Sequence, residues 1–348
     1  MRLAPGLALA GALAMLAWRL GQAMPLLGGA VLAILLGVLL RAAWTPRPAF
    51  DPGVRFAGKR VLQASIVLLG FGLDLGQVAR TGFESLGVTV ATLLLAFAAA
   101  WGLGRALKVP VKLAALVGVG TAICGGSAIA AVAPILKPDE HDTAFAISTI
   151  FLFNLVAVLV FPPLGHLLGM SDAQFGLWAG TAINDTSSVV AAGYAYSTAA
   201  GDQATIVKLA RATMILPVCL ALAGGLAWRA RRAASVAAAS ASARAAVGAA
   251  SAPRDAGTAT PSAGLGAIFP WFILWFVVAS ALRTFGFVPE ALQGWLHAAG
   301  GLAMVLALAA IGLSADLRRM RATGPRPVLL GLGVWATVAI GSLVVQAL

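Results

Sequence analysis

Apolar residues in this chain arrive in blocks close to twenty long, separated by short polar stretches. A helix of that length rises roughly 30 Å, the depth of a bilayer's hydrocarbon core. Few other folds need such blocks, and none needs so many in series. Composition agrees: 60% of the residues are hydrophobic and 10% charged, where soluble domains carry about 25% charged residues. The expected fold is therefore all-α and polytopic, a membrane protein. Low-charge blocks fall at roughly 3–20, 25–41, 61–79, 83–104, 112–136, 143–164, 174–197, 205–228, 267–283, 295–314 and 327–347. The first block reads as a membrane helix, because no small-x-small cleavage site follows it before Arg19.

The chain carries 24 Lys and Arg against 12 Asp and Glu, a formal charge of +12. With the N-terminus placed on the cytoplasmic side, only Arg19, Arg80, Lys137 and Arg283 fall at outer ends. Lys208 and Arg211 fall within a block, and the other 18 basic residues fall at inner ends. That bias predicts an inside N-terminus and an outside C-terminus. Segments 112–136 and 174–197 are open to two readings, crossings or re-entrant hairpins. Two hairpins cancel in parity and move only Lys137 to the inner side. Residues 1–229 hold the first eight segments and 265–348 the last three. Residues 230–264, rich in Ala, Ser and Arg, read as a cytoplasmic linker, with an Ala-rich extension of the preceding helix as the alternative.

Two internal echoes stand out. Gly120-Thr-Ala-Ile-Cys-Gly-Gly-Ser127 parallels Gly180-Thr-Ala-Ile-Asn-Asp-Thr-Ser187. More weakly, Gly70-Phe-Gly-Leu-Asp-Leu parallels Ala310-Ile-Gly-Leu-Ser-Ala, in segments that run in opposite directions. Inverted repeats with broken helices organise many secondary transporters.

The first motif, Thr121, Cys124, Gly125, Gly126 and Ser127, lies inside an apolar block, where two glycines weaken a helix. An opened backbone at that depth needs protein or a wet cavity to satisfy it. The expectation is two half-helices, capped by Thr121 and Ser127, with one N-terminus free to receive an anion. Close packing through small residues is the alternative. The second motif places Asn184, Asp185, Thr186, Ser187 and Ser188 between apolar flanks. Asp185 is the clearest intramembrane carboxylate, fit to carry a coupling H+ or Na+, or to cap the second half-helix. Lys208 and Arg211 share one helix face. They suit an anionic substrate, a salt bridge to Asp185, or snorkelling toward the interface; for Lys208, near the expected start of its segment, snorkelling is favoured. Asn154 reads as interhelical glue, and Asp74 as a solvated residue at a membrane edge.

Other chemistries find little support. Cys124 and Cys219 make neither a disulfide framework nor a zinc pattern. His141, His166 and His297 are scattered, and Lys137-Pro-Asp-Glu-His-Asp142 offers little to a metal. No cofactor is expected. A Walker A sequence is lacking, so ATP drive is not indicated. Intramembrane proteolysis needs a His at depth or a second aspartate, so an enzyme is not expected. Basic residues are not interleaved with stacking aromatics, so nucleic acid is not an expected partner. The expected partners are the lipid bilayer, a small anion, and a second copy in a homo-oligomer.

The two Gly-Thr-Ala-Ile motifs, with their Gly-Gly-Ser-Ala and Asn-Asp-Thr-Ser-Ser continuations, and Lys208-Leu-Ala-Arg211 resemble the YeiH/UPF0324 family of bacterial inner-membrane proteins. The resemblance covers nearly the whole chain; only the Ala/Ser/Arg linker is longer than the family leads one to expect. It implies the cation:proton antiporter and anion transporter superfamily, with inverted repeats and broken or re-entrant helices. It also implies the function usually attached to the family, sulfate export.

Overall fold

The computed structural model describes residues 3–23, 28–44, 47–245, 270–315 and 325–348. Among them every regular element is a helix: α1 Ala4–Ala23, α2 Gly28–Ala43, α3 Asp51–Phe56, α4 Leu62–Gly70, α5 Leu75–Ala106, α6 Val111–Ala122, α7 Gly126–Leu136, α8 Glu140–Leu167, α9 Asp172–Ala182, α10 Thr186–Tyr196, α11 Thr198–Thr213, α12 Ile215–Ala245, α13 Trp271–Thr284, α14 Glu290–Ser314 and α15 Pro325–Ala347. A π-helical turn at Ala57–Val61 joins α3 to α4 in one continuous rod. Among the described residues, six helices are long and apolar enough to cross a membrane by themselves. The expected linker is helical as far as Ala245 within α12, and its residues 246–264 lie outside the described residues.

α5 shows why these helices assemble as they do. Its buried stripe is Thr81, Ser85, Val88, Thr89, Thr92, Ala96, Ala100 and Gly104. Its outward face carries Phe83 at 74% exposure, Leu94 at 62% and Trp101 at 69%. Small residues inside and large apolar residues outside is the membrane pattern, since lipid solvates Leu and Trp as well as a core does. The small stripe lets neighbours approach closely. A Cβ on Gly118 of α6 would lie 2.7 Å from that of Ala100, and one on Gly341 of α15 would lie 2.5 Å from Leu95. α5 begins at Asp74, whose Oδ1 accepts from the Gly76 and Gln77 backbone N–H groups at 2.8 and 3.3 Å. The residue expected to be merely solvated is thus an N-cap.

The packing forms two bundles. One contains α1–α4, α13 and α14; the other contains α5–α11 and α15. Within the first, α4 and α14 run antiparallel, with Gly58 near Ile311 and Gly72 near His297. The Gly70 and Ala310 echoes therefore lie at opposite ends of paired helices. α2 and α14 touch backbone to backbone, where a Cβ on Gly312 would meet the Ile34 carbonyl at 2.3 Å.

The second bundle resolves the two open segments: both re-enter. At the base of α6–α7, Lys112 Nζ donates to the Lys137 carbonyl at 2.7 Å, so the hairpin's two ends lie together. At the base of α9–α10, Ser197 Oγ donates to Asp172 Oδ1 at 2.6 Å, and Tyr196 OH donates to the Met170 carbonyl. Contacts with α11 fix the directions. Gly176 and Gly180 of α9 sit against Ala200 and Ala204 in parallel order, whereas Gly193 of α10 meets Gly201 and leads into the α11 N-cap. α8 separates the two hairpins and crosses from the base of one to the base of the other, so they enter from opposite ends. The end holding the base of α6–α7 also holds the N-terminal part of α1, and it is the basic end of the charge count.

Candidate functional site

The hairpin tips meet in the middle of the second bundle. α6 ends at Ala122 and α7 begins at Gly126; α9 ends at Ala182 and α10 begins at Thr186. Each break leaves a half-helix C-terminus and a half-helix N-terminus at depth. The first turns at Gly125, with φ +65°, a backbone region open to glycine. A Cβ there would lie 3.5 Å from Asp185 Cβ, so the tips are in contact through that glycine.

The C-terminal ends are held by cations. Lys208 Nζ donates to the Ile123 carbonyl at 2.8 Å and to the Ile183 carbonyl at 2.9 Å, bridging the hairpins. Arg211 Nε donates to the Ala122 carbonyl at 2.6 Å and Nη2 to the Thr121 carbonyl at 3.0 Å. Both side chains have 0% exposure. Neither snorkels, and neither ion-pairs with Asp185. The expectation of snorkelling placed the helix start too late. α11 begins at Thr198, with Asp202 inside it and bonded by Tyr194 OH at 2.5 Å. Lys208 is therefore deep in the helix rather than near its end.

The N-terminal ends differ from each other. Asp185 is the N-cap of α10: Oδ2 accepts from Ser187 N at 3.1 Å and from Ser187 Oγ, while its own N–H donates to Asn154 Oδ1 at 3.2 Å. α7 has no side-chain cap. Ser127 does not cap it, and Thr121 Oγ1 is buried without a partner, which corrects the expectation that these two residues cap the break. Arg211 satisfies the α6 end instead. Asn184 is buried with neither amide atom bonded, and Arg211 Nη1 is likewise unpartnered. Cys124 is buried at the turn.

A cleft between the bundles reaches these N-termini from the basic end. Its larger lobe, about 970 Å³, is lined by Gly126, Ser127, Asp185, Thr186 and Ser187 at the tips and by Lys59, Gln63 and Cys219 on the walls. A second lobe of about 450 Å³ shares Gly58, Lys59, Phe151 and Ser187 and adds Arg55, Ser148, Asn154 and Ser188. The cleft thus gathers Gly126, Ser127 and Asp185–Ser188, while Lys208 and Arg211 lie behind the tips. Lys59, one of the basic residues at the inner ends, lines both lobes. It projects from the π-helical turn, a distortion often found at functional sites, which hydropathy does not reveal. Asn154, read as glue, bonds the second tip and lines the cleft.

Comparison with known proteins gives a consistent result. Residues 5–331 match the family model described as Conserved hypothetical protein 698. A UPF0324 membrane protein of Streptococcus pyogenes serotype M18 is 40% identical over 99% of this chain and 97% of its own length. One of Streptococcus agalactiae serotype V is 37% identical over 99% and 97%. One of Fusobacterium nucleatum is 35% identical over 98% and 96%.

Proposed function

The chain belongs to the UPF0324 family of membrane proteins, and from that premise we propose that it is a secondary transporter of a small anion, sulfate or a related sulfur oxyanion or sulfonate. It works by alternating access, exports its substrate, and couples to H+ or Na+. The observation that carries this reading is the contrast between the two half-helix N-termini facing the cleft. Each brings about half a positive elementary charge. That of α10 is matched by its own Asp185, and that of α7 is open. An anion seated there accepts from the Gly126 and Ser127 N–H groups, with the hydroxyls of Ser127 and Thr186 at hand. Lys59 and Arg55 on the cleft walls draw anions toward it.

Asp185 adjoins that seat. As the carboxylate that lines the cleft at the tips, it is the group to which coupling to H+ or Na+ falls. With the basic end in the cytoplasm, the cleft faces inward in a bacterial plasma membrane and the C-terminus lies outside. Transport of this kind needs no cofactor, no resident metal and no catalytic step. Its partners are the bilayer, the anion and a second copy of the chain. Cation:proton antiport is the second reading, favoured by the presence of Asp185 on the cleft wall without a basic partner.

Counterflow of labelled sulfate and methanesulfonate in proteoliposomes tests the proposal. Transient accumulation above equilibrium is expected in the wild type and is lost in Arg211→Ala. Asp185→Asn keeps counterflow and loses accumulation driven by an ion gradient. Flux that only equilibrates, or no flux of either anion in folded protein, contradicts the proposal.

A further inference from the structure

We propose that the Lys208 ammonium holds the place of an alkali cation, so that the protein carries its own cation at the crossing of the hairpins and works without Na+. The ammonium rests on the Ile123 and Ile183 carbonyls, one from each hairpin. Those carbonyls stand at the C-terminal ends of α6 and α9, each worth about half a negative elementary charge. Two such ends from opposite sides supply about one unit of negative charge, enough to balance one monovalent cation at the meeting point. Unwound carbonyls at half-helix C-termini are also the donor set that coordinates Na+ in broken-helix transporters. Here the Ile123 and Ile183 carbonyls are both taken by the ammonium. Arg211 takes the next two carbonyls of α6, at Ala122 and Thr121, so two buried positive charges already occupy the region. A further cation beside them is repelled strongly at low dielectric. Coupling then falls to a proton on Asp185, the carboxylate at the cleft. This assignment of H+ rests on the transporter reading, whereas the cation site rests on geometry alone.

The test reads cation binding through stability, with no substrate and no flux, so its failure is distinct from failure of the transport proposal. Purified wild type and Lys208→Ala are melted at pH 7.5 in NaCl and in choline chloride of equal ionic strength. The wild type is expected to melt at the same temperature in both salts. Lys208→Ala is expected to melt lower in choline and to recover a few degrees, saturably, as Na+ rises, because the vacated carbonyls accept the ion. Lys208→Met fills the space without charge, and is expected to melt low in both salts. Stabilisation of the wild type by Na+ over choline overturns the proposal, as does indifference of Lys208→Ala to the salt. If Lys208→Ala aggregates in choline, monodisperse recovery only in Na+ supports the proposal. Aggregation in both salts counts against it.

Discussion

Gly125 and Gly126 are neighbours with different duties. Gly125 has φ +65° and faces Asp185, whereas a Cβ on Gly126 meets nothing within 4 Å. Gly125→Ala forces an L-residue into a positive-φ backbone that side chains rarely adopt, at a cost of about 1–3 kcal/mol, and presses on the second hairpin. We expect a lower melting temperature and loss of counterflow in Gly125→Ala, whereas Gly126→Ala keeps the wild-type melting temperature; an equal fall in melting temperature in the two variants contradicts the tip geometry. Arg211→Met strips two buried carbonyls of their donor, which costs about 1–3 kcal/mol for each buried acceptor left unmade. Its melting temperature should fall by several degrees, whichever anion is present. At this scale the sequence was legible where a residue broke its own segment's rules, as Gly125-Gly126 and Asp185 do in apolar surroundings. It was misleading where a polar residue looked like a loop. The expected block starts at 205, whereas α11 starts at Thr198 with Asp202 inside it, bonded by Tyr194 OH of the preceding helix.

At the scale of elements, the paired Gly-Thr-Ala-Ile motifs announced two related breaks, but not whether the chain goes through or turns back. Hydropathy reports depth and not direction. What decides is contact across a hairpin's base, Lys112 to Lys137 and Asp172 to Ser197, between residues 25 apart. In a background lacking Cys124 and Cys219, Val111→Cys and Glu140→Cys should react with an impermeant reagent from one side of the membrane. Ser171→Cys and Thr198→Cys should react from the other side only, and labelling of one hairpin's two ends from opposite sides contradicts re-entry. The α5 start offers a pH test. The Gln77 and Gly76 backbone N–H groups hold the Asp74 carboxyl below the usual carboxylate range. The cap therefore contributes stability at neutral pH and loses it as pH falls through the lowered value. Asp74→Ala should melt below the wild type at pH 7, and the gap should close in strong acid.

Most of the described helices form two bundles with a cleft between them, open at the basic end and floored by the hairpin tips. The membrane class, the helical content and the basic asymmetry were readable from block length and charge, since each depends on local composition. The partition into bundles was not, because α13 and α14 return to α1–α4 while α15 joins α5. That choice depends on small-residue contacts such as Gly37 with Gly312 and Gly333 with Leu103, among 40 glycines of similar local context. The central claim is that an uncapped helix end at the first tip receives an anion from a cleft open on one side. Ser127→Cys, in the same cysteine-free background, tests it most directly. We predict fast modification by a charged thiol reagent from the basic side, slowed by a transported anion. Modification from the opposite side alone, or a rate indifferent to every anion that shows counterflow, would contradict the account.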